Sequence, residues 1–138
     1  MKIRKPVGRT NNIPIISCSM FVLFTDHIKA LAFSDWVKRL GGSSDLRVCK
    51  STEEISVRIA HIHAVRQWEF ADALNDMFFQ IKDKYDEIKE AIATMGASCY
   101  IDIVCYKKDV YPAMLFEGEA MRIIHDFKAD ISIDMYDE

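Results

Sequence analysis

Two histidines one residue apart, His61 and His63, are the first residues in this chain whose type and spacing suggest chemistry. On a β-strand they fall on one face, and two imidazoles so placed can hold zinc when a third ligand joins them. His27, Asp102 and His125 are the candidates for that third ligand. The same spacing equally describes surface imidazoles on a half-exposed strand. A second group is acidic: Asp102, Asp130, Asp134, Asp137 and Glu138 come together if the strand carrying Asp102 runs beside the one that closes the chain. Gathered carboxylates can divide acid and base roles, hold a hard cation such as Mg²⁺, face solvent, or meet a basic partner. Cys49 is the one cysteine in a polar stretch, flanked by Arg47 and Lys50, whose charges favour a thiolate. Nucleophilic catalysis also needs a base, and no histidine lies near it in sequence. The phosphate-binding, nucleophile-elbow and zinc-protease signatures are all missing from the chain.

The composition narrows the partners. With 138 residues, 50% hydrophobic and 28% charged, the chain has one domain's worth of core and needs no covalent staples. A net charge of −3 argues against broad affinity for nucleic acid or anionic membranes, since both depend on a basic surface. Cys18, Cys49, Cys99 and Cys105 show no zinc-ribbon spacing, and three of them sit in apolar runs, which reads as reduced thiols in a cytoplasmic protein. No stretch is long and apolar enough to span a membrane or serve as a signal core.

The elements that must position these residues follow from periodicity. Residues 1–14 are polar and basic without a period and are expected to form a flexible arm; residues 15–138 are expected to form a single domain. Ile15 to Phe24 reads as a central strand, followed by a short helix that Ser34 caps and Gly41-Gly42 stops. Ile55, Val57 and Ile59 begin a second strand, with His61 and His63 continuing the face of Ile59. From Phe70 to Met95 apolar residues follow one helical stripe, interrupted at Lys82-Asp83-Lys84, so one helix or two are both compatible. Cys99, Ile101, Ile103 and Cys105 share one face of a third strand. Tyr111 to Phe116 is expected to return as its antiparallel hairpin partner. Glu117 to Phe127 then has helical spacing, and Ile131, Ile133 and Met135 alternate with Ser132, Asp134 and Tyr136 as a closing strand. Phe21, Phe24, Phe78, Phe79 and Phe116 lie in apolar runs and read as core. The fold class is α+β, a mainly antiparallel sheet with helices packed on one face.

This order resembles that of a bacterial family catalogued as domain of unknown function 4279. The likeness rests on the N-terminal apolar strand, a Ser-capped helix ending in Leu40-Gly41, a tryptophan before the long helical segment, and the closing Ala129-Asp130-Ile131-Ser132-Ile133-Asp134-Met135-Tyr136. In that family the last strand alternates Ile and Asp and ends in Tyr. The chain departs from it in the extra Thr25-to-Ala32 segment and in lacking a proline after the first helix's glycine. The resemblance implies no active site; it implies, through association with toxin genes, an immunity role. Together these features lead to three expectations. The first is a non-catalytic, cofactor-free cytoplasmic protein that binds a toxin domain through Asp102, Asp130, Asp134, Asp137 and Glu138. The others are a metal-binding domain using His61 and His63, and a structural homodimer joined edge to edge.

Overall fold

A computed structural model describes residues 12–49 and 51–138. The central strand is β1, Ile15–Phe24, in which every second side chain is buried: Ile16, Cys18, Met20, Val22 and Phe24. It is flanked on one side by β3, Ile55–Arg66, and then β2, Asp45–Val48; on the other side come β4, Ser98–Lys107, and β5, Asp130–Asp137. All neighbours pair antiparallel except β4 and β5, which run parallel. Four helices, α1 His27–Arg39, α2 Phe70–Phe79, α3 Tyr85–Thr94 and α4 Gly118–Asp126, supply the other half of the core. Their buried residues include Phe33, Val37, Phe70, Leu74, Met77, Ile88 and Ile123, and they meet the strands from one side. The α+β class and the one-sided packing of helices expected from the sequence are therefore what the chain adopts.

Several local expectations change. The first helix starts at His27 and not after Ser34, because the Asp26 carboxylate caps it, accepting from the amides of Ile28 at 2.9 Å and Lys29 at 3.3 Å. Ala30, Phe33 and Val37 then form the buried stripe. Ser34 sits buried in mid-helix, its hydroxyl bonded to Ser44 Oγ at 2.5 Å. The segment from Phe70 to Met95 is two helices, separated by a 3-10 turn at Lys82–Lys84, where the apolar stripe lapses.

The hairpin expected between β4 and Tyr111–Phe116 does not form. Both edges of β4 are taken, by β1 and by β5, whose eight residues keep unbroken register from Tyr100↔Asp130 to Lys107↔Asp137. Pro112 has no amide to offer a ladder. Only Ala113 joins the backbone pairing, in a single parallel bridge to Glu69, with its amide donating to Trp68 O at 2.7 Å. Of the five phenylalanines read as core, Phe24 and Phe78 are buried, Phe116 packs at the core's margin, Phe79 is 70% exposed, and Phe21 lies on the sheet's other face. For the arm, residues 1–11 lie outside the described residues. At its end, the Ile13 and Pro14 carbonyls accept bonds from the Arg66 guanidinium and the Gln67 amide.

Candidate functional site

The helices leave one face of the sheet open: among the described residues, no helix covers it. Register assigns its occupants in rows across the strands. Phe21 on β1 stands between Arg58 on β3 and Tyr100 on β4, and Tyr100 aligns with Asp130 on β5. Ser19 stands between His61 and Asp102, and Asp102 aligns with Ser132. Ile15 stands between Arg66 and Tyr106, and Tyr106 aligns with Tyr136. The aromatic side chains bridge neighbouring strands, Phe21 stacked on Tyr100 with centroids 5.9 Å apart and Tyr106 on Tyr136 at 5.4 Å.

His61 and His63 belong to this open face, which corrects the expectation that they share the face of Ile59. Pairing with β1 slips by one residue between Met20↔Ala60 and Phe21↔Arg58, so Ile59 and Ala60 are both buried opposite Met20. The extra residue of this bulge inverts the alternation that follows. Ile62 then packs against the core, and the two imidazoles turn outward with ring centroids 5.8 Å apart. His61 Nδ1 is 3.0 Å from Ser19 Oγ. Its pKa is pushed down by partial burial, to which the nearby Arg58 and His63 add. Gln80 covers the strand edge here, accepting from the His61 amide at 2.9 Å and donating to its carbonyl at 2.7 Å. As ligands the pair lacks company: no group of three His, Cys, Asp or Glu able to hold a metal occurs among the described residues. None of His27, Asp102 and His125 completes such a site.

The five acids separate into two sets. Asp102, Asp130 and Asp134 share the open face on its β4–β5 side, and none makes an ion pair among the described residues. The pKa of Asp102 is raised, by burial first and by the Asp134 charge second. Asp137 and Glu138 stand apart from them, already neutralised: Asp137 Oδ1 meets Lys107 Nζ at 2.7 Å, and Glu138 Oε1 meets Arg66 at 3.2 Å.

At the β2–β3 end of the open face lies a groove of about 400 Å³ lined by Phe21, Leu23, Cys49, Glu54, Tyr100 and Asp102. Cys49 is exposed and its pKa falls to about 7, a shift caused by hydrogen bonds from Ser51 and Thr52. This is not the cause expected from sequence, since Arg47 is turned to Asp45 at 3.2 Å and Lys50 lies outside the described residues. Burial pushes Cys18 and Cys99 up to about 12 and Cys105 up to about 11. A thiol reagent such as DTNB should accordingly modify one cysteine in the native protein and four in denaturant. The native rate should rise as the pH passes through about 7, where the Cys49 thiolate forms. Rapid native modification of two or more thiols would contradict this assignment.

A second cavity, of about 610 Å³, opens on the helical side between α2, α3 and α4, with Phe79, Lys82, Tyr85 and Arg122 at its walls. Arg122 is engaged by Glu119 and by Asp126, whose Oδ2 is 2.9 Å away and also accepts from the Tyr85 hydroxyl at 2.6 Å. Burial, with the Asp126 hydrogen bond next, pushes the Tyr85 hydroxyl up to about 12. The i, i+3 and i, i+4 spacing of Glu119, Arg122 and Asp126 was available in the sequence as a helix-face signal. The aromatic pairs of the open face had a weaker one, the second alternating set Phe21 and Leu23 within β1.

No helix among the described residues is long and apolar enough to cross a membrane. Neither a curated protein nor a solved structure matches the chain. A family model does match, over residues 61–138, from His61 within β3 to the end of β5. The match takes in the outward-turned imidazoles, α2 to α4 and the closing Ile-Asp alternation, and leaves β1, α1 and β2 outside it. The chain thus belongs to the family described as domain of unknown function (DUF4279).

Proposed function

We propose that this is a non-catalytic binding protein whose working surface is the open sheet face on its β4–β5 side, and that its partner is a toxin domain with a basic surface. The observation that carries the reading is the placement of Asp102, Asp130 and Asp134 on one face without ion-pair partners among the described residues, beside the stacked aromatic pairs. Aromatic side chains flanked by charge resemble the anatomy of protein interfaces. The raised pKa of Asp102 adds a motive: burial first and the Asp134 charge second disfavour its ionised form, and an approaching Arg or Lys offsets both. The toxin as partner follows from what the family resemblance implies for small proteins of this kind. An acidic surface of this sort steers a basic partner into fast, salt-sensitive association. The action is occlusion, in a cytoplasmic setting, with no cofactor.

The test is capture of the product of the neighbouring gene by the purified chain, followed by affinity measurement at several salt concentrations. Reversing Asp102, Asp130 and Asp134 together to lysine is expected to weaken binding by about a hundredfold or more and to flatten its salt dependence. Reversing Asp137 and Glu138, already paired within the chain, is expected to change it much less. Equal losses from the two sets would dismiss the open face as the contact surface.

A further inference from the structure

We propose that, until a partner arrives, the acidic side of the open sheet face is covered by the chain's own residues 1–11. This rests on the reading of that face as the working surface and adds how access to it is regulated.

The face is unevenly charged once its internal pairs are set aside. On the β2–β3 side Asp45 is held by Arg47 at 3.2 Å and by Arg58 at 3.6 Å. At the end of the sheet where β1 begins, Arg66 holds Glu138 at 3.2 Å and Lys107 holds Asp137 at 2.7 Å. Asp102, Asp130 and Asp134 are what remains, with no Lys or Arg within ion-pair distance among the described residues. The opposite imbalance lies in the sequence before β1. Residues 1–11 include Lys2, Arg4, Lys5 and Arg9 and none of the chain's 21 acidic residues. Four cations without a counter-charge of their own are the complement of three carboxylates without one.

The place where this segment joins the sheet favours the same pairing. Arg66 is aligned with Ile15 in a row of the open face, and its guanidinium donates to the Ile13 carbonyl at 2.7 Å. The chain therefore enters β1 from the rim of the open face, at the end where Tyr106 and Tyr136 stack. The other face is already filled by the helices. Strand rise and spacing put the Cα atoms of Asp134, Asp102 and Asp130 about 17, 21 and 29 Å from that of Ile13. An extended chain covers about 13 Å from Ile13 back to Arg9 and about 26 Å back to Lys5. The difference of a few ångströms is within the length of an arginine or lysine side chain. On the way lie Tyr106 and Tyr136, 42% and 51% exposed, over which a guanidinium or ammonium group is also attracted.

Exposed ion pairs are weak one by one. A short tether holds these cations at an effective concentration on the order of millimolar, so the set closes without a second molecule. A basic partner then has to displace the segment, which makes residues 1–11 an autoinhibitory cover that only a more strongly basic surface removes.

Paramagnetic relaxation in the full chain tests this without any toxin. Ile3→Cys carries a nitroxide label, with Cys49→Ser removing the exposed native thiol. In low salt the amide signals of Asp102, Asp130 and Ser132 should lose about half their intensity or more, and regain it near ~0.5 M salt, where exposed charges are screened. Replacing Asp102, Asp130 and Asp134 together by asparagine should abolish the loss. Replacing Lys2, Arg4, Lys5 and Arg9 by glutamine should do the same; it changes no described residue, and serves if the asparagine variant is disturbed by circular dichroism. Attenuation confined to the residues next to Ile13, falling on the helices, or indifferent to both sets of substitutions overturns the inference. Attenuation passed to unlabelled chains in a mixture overturns it as well, because the contact then runs between copies. The described contact in a chain that captures no basic partner supports this inference and dismisses the toxin reading, while aspartate-dependent capture without the contact does the reverse.

Discussion

Replacing Phe70 by alanine is expected to cost about 3–5 kcal/mol of folding stability, a large share of the ~5–15 kcal/mol typical of a domain. Phe70 opens α2 and is fully buried, together with Ala73, Leu74 and Met77 on the same helix. Its ring packs against Phe116 with centroids 6.4 Å apart, and its amide donates to Ala113 O at 3.0 Å. Truncation there leaves a cavity where α2, the sheet and the 111–116 segment meet, and a backbone tied by hydrogen bonds on both sides cannot collapse into it. Phe79 offers the contrast from the other end of the same helix. It is 70% exposed, so Phe79→Ala should shift stability by only about 0.5 kcal/mol. Urea unfolding followed by circular dichroism measures both, and a Phe79 loss as large as that of Phe70 would mean the core boundary has been drawn wrongly.

Deleting Val57 is expected to unfold the domain, whereas deleting Ile59, two residues further on, should leave it folded. Between Ile55 and Arg58 the strand β3 is in regular register with β2 on one side and β1 on the other. Removing Val57 from that stretch leaves two outcomes. Either the upstream segment slips, turning Ile55 outward, or the bulge absorbs the loss by placing Arg58 where Val57 was. The first removes core; the second buries a guanidinium against Val22, without the Asp45 carboxylate that now lies 3.6 Å from it. An unpaired buried charge costs several kcal/mol, on top of the lost apolar contacts. Ile59, in contrast, is the surplus residue of the bulge. Without it, Val57, Ala60 and Ile62 still face inward and Arg58 and His61 outward, and the loss is one buried side chain, about 1.5–3 kcal/mol. Amide dispersion in proton–nitrogen correlation spectra, with urea midpoints, distinguishes the two. Equal stability of the deletions would show that β3 does not hold this register.

The contrast between Phe70 and Phe79, and between Val57 and Ile59, also marks how far the residues alone determine this protein. The β-branched and aromatic content of Ile15–Phe24, strict alternation in Ser98–Lys107, and the three-and-four spacing in α2, α3 and α4 were enough for element type, for the shared face of Cys99, Ile101, Ile103 and Cys105 on β4 and for the α+β class; on β1 the buried face was not legible, since Phe21 and Phe24 both read as core and lie on opposite faces. Those patterns are local: a strand's two faces and a helix's stripe are written within a few residues of one another. The closing Ile-Asp alternation was equally legible and pointed to the family that the chain belongs to.

What tertiary structure alone decided is everything that depends on pairing. The partner of β4 could not be read from proximity along the chain, because the parallel crossover through α4 outcompeted the nearer Tyr111–Phe116 segment. Helix α1 began at His27 and not after Ser34 because the Asp26 carboxylate caps its first amides, while Ser34 found a partner in Ser44. The direction of His61 and His63 turned on one extra residue opposite Met20, a slip between two strands that leaves no mark in the period of either. Likewise, five acidic residues looked equivalent until Lys107 and Arg66 arrived beside Asp137 and Glu138 from distant positions. A local period states which side chains share a face; which strands lie together, and therefore which charges remain unpaired on the open sheet, is settled only when the chain closes on itself.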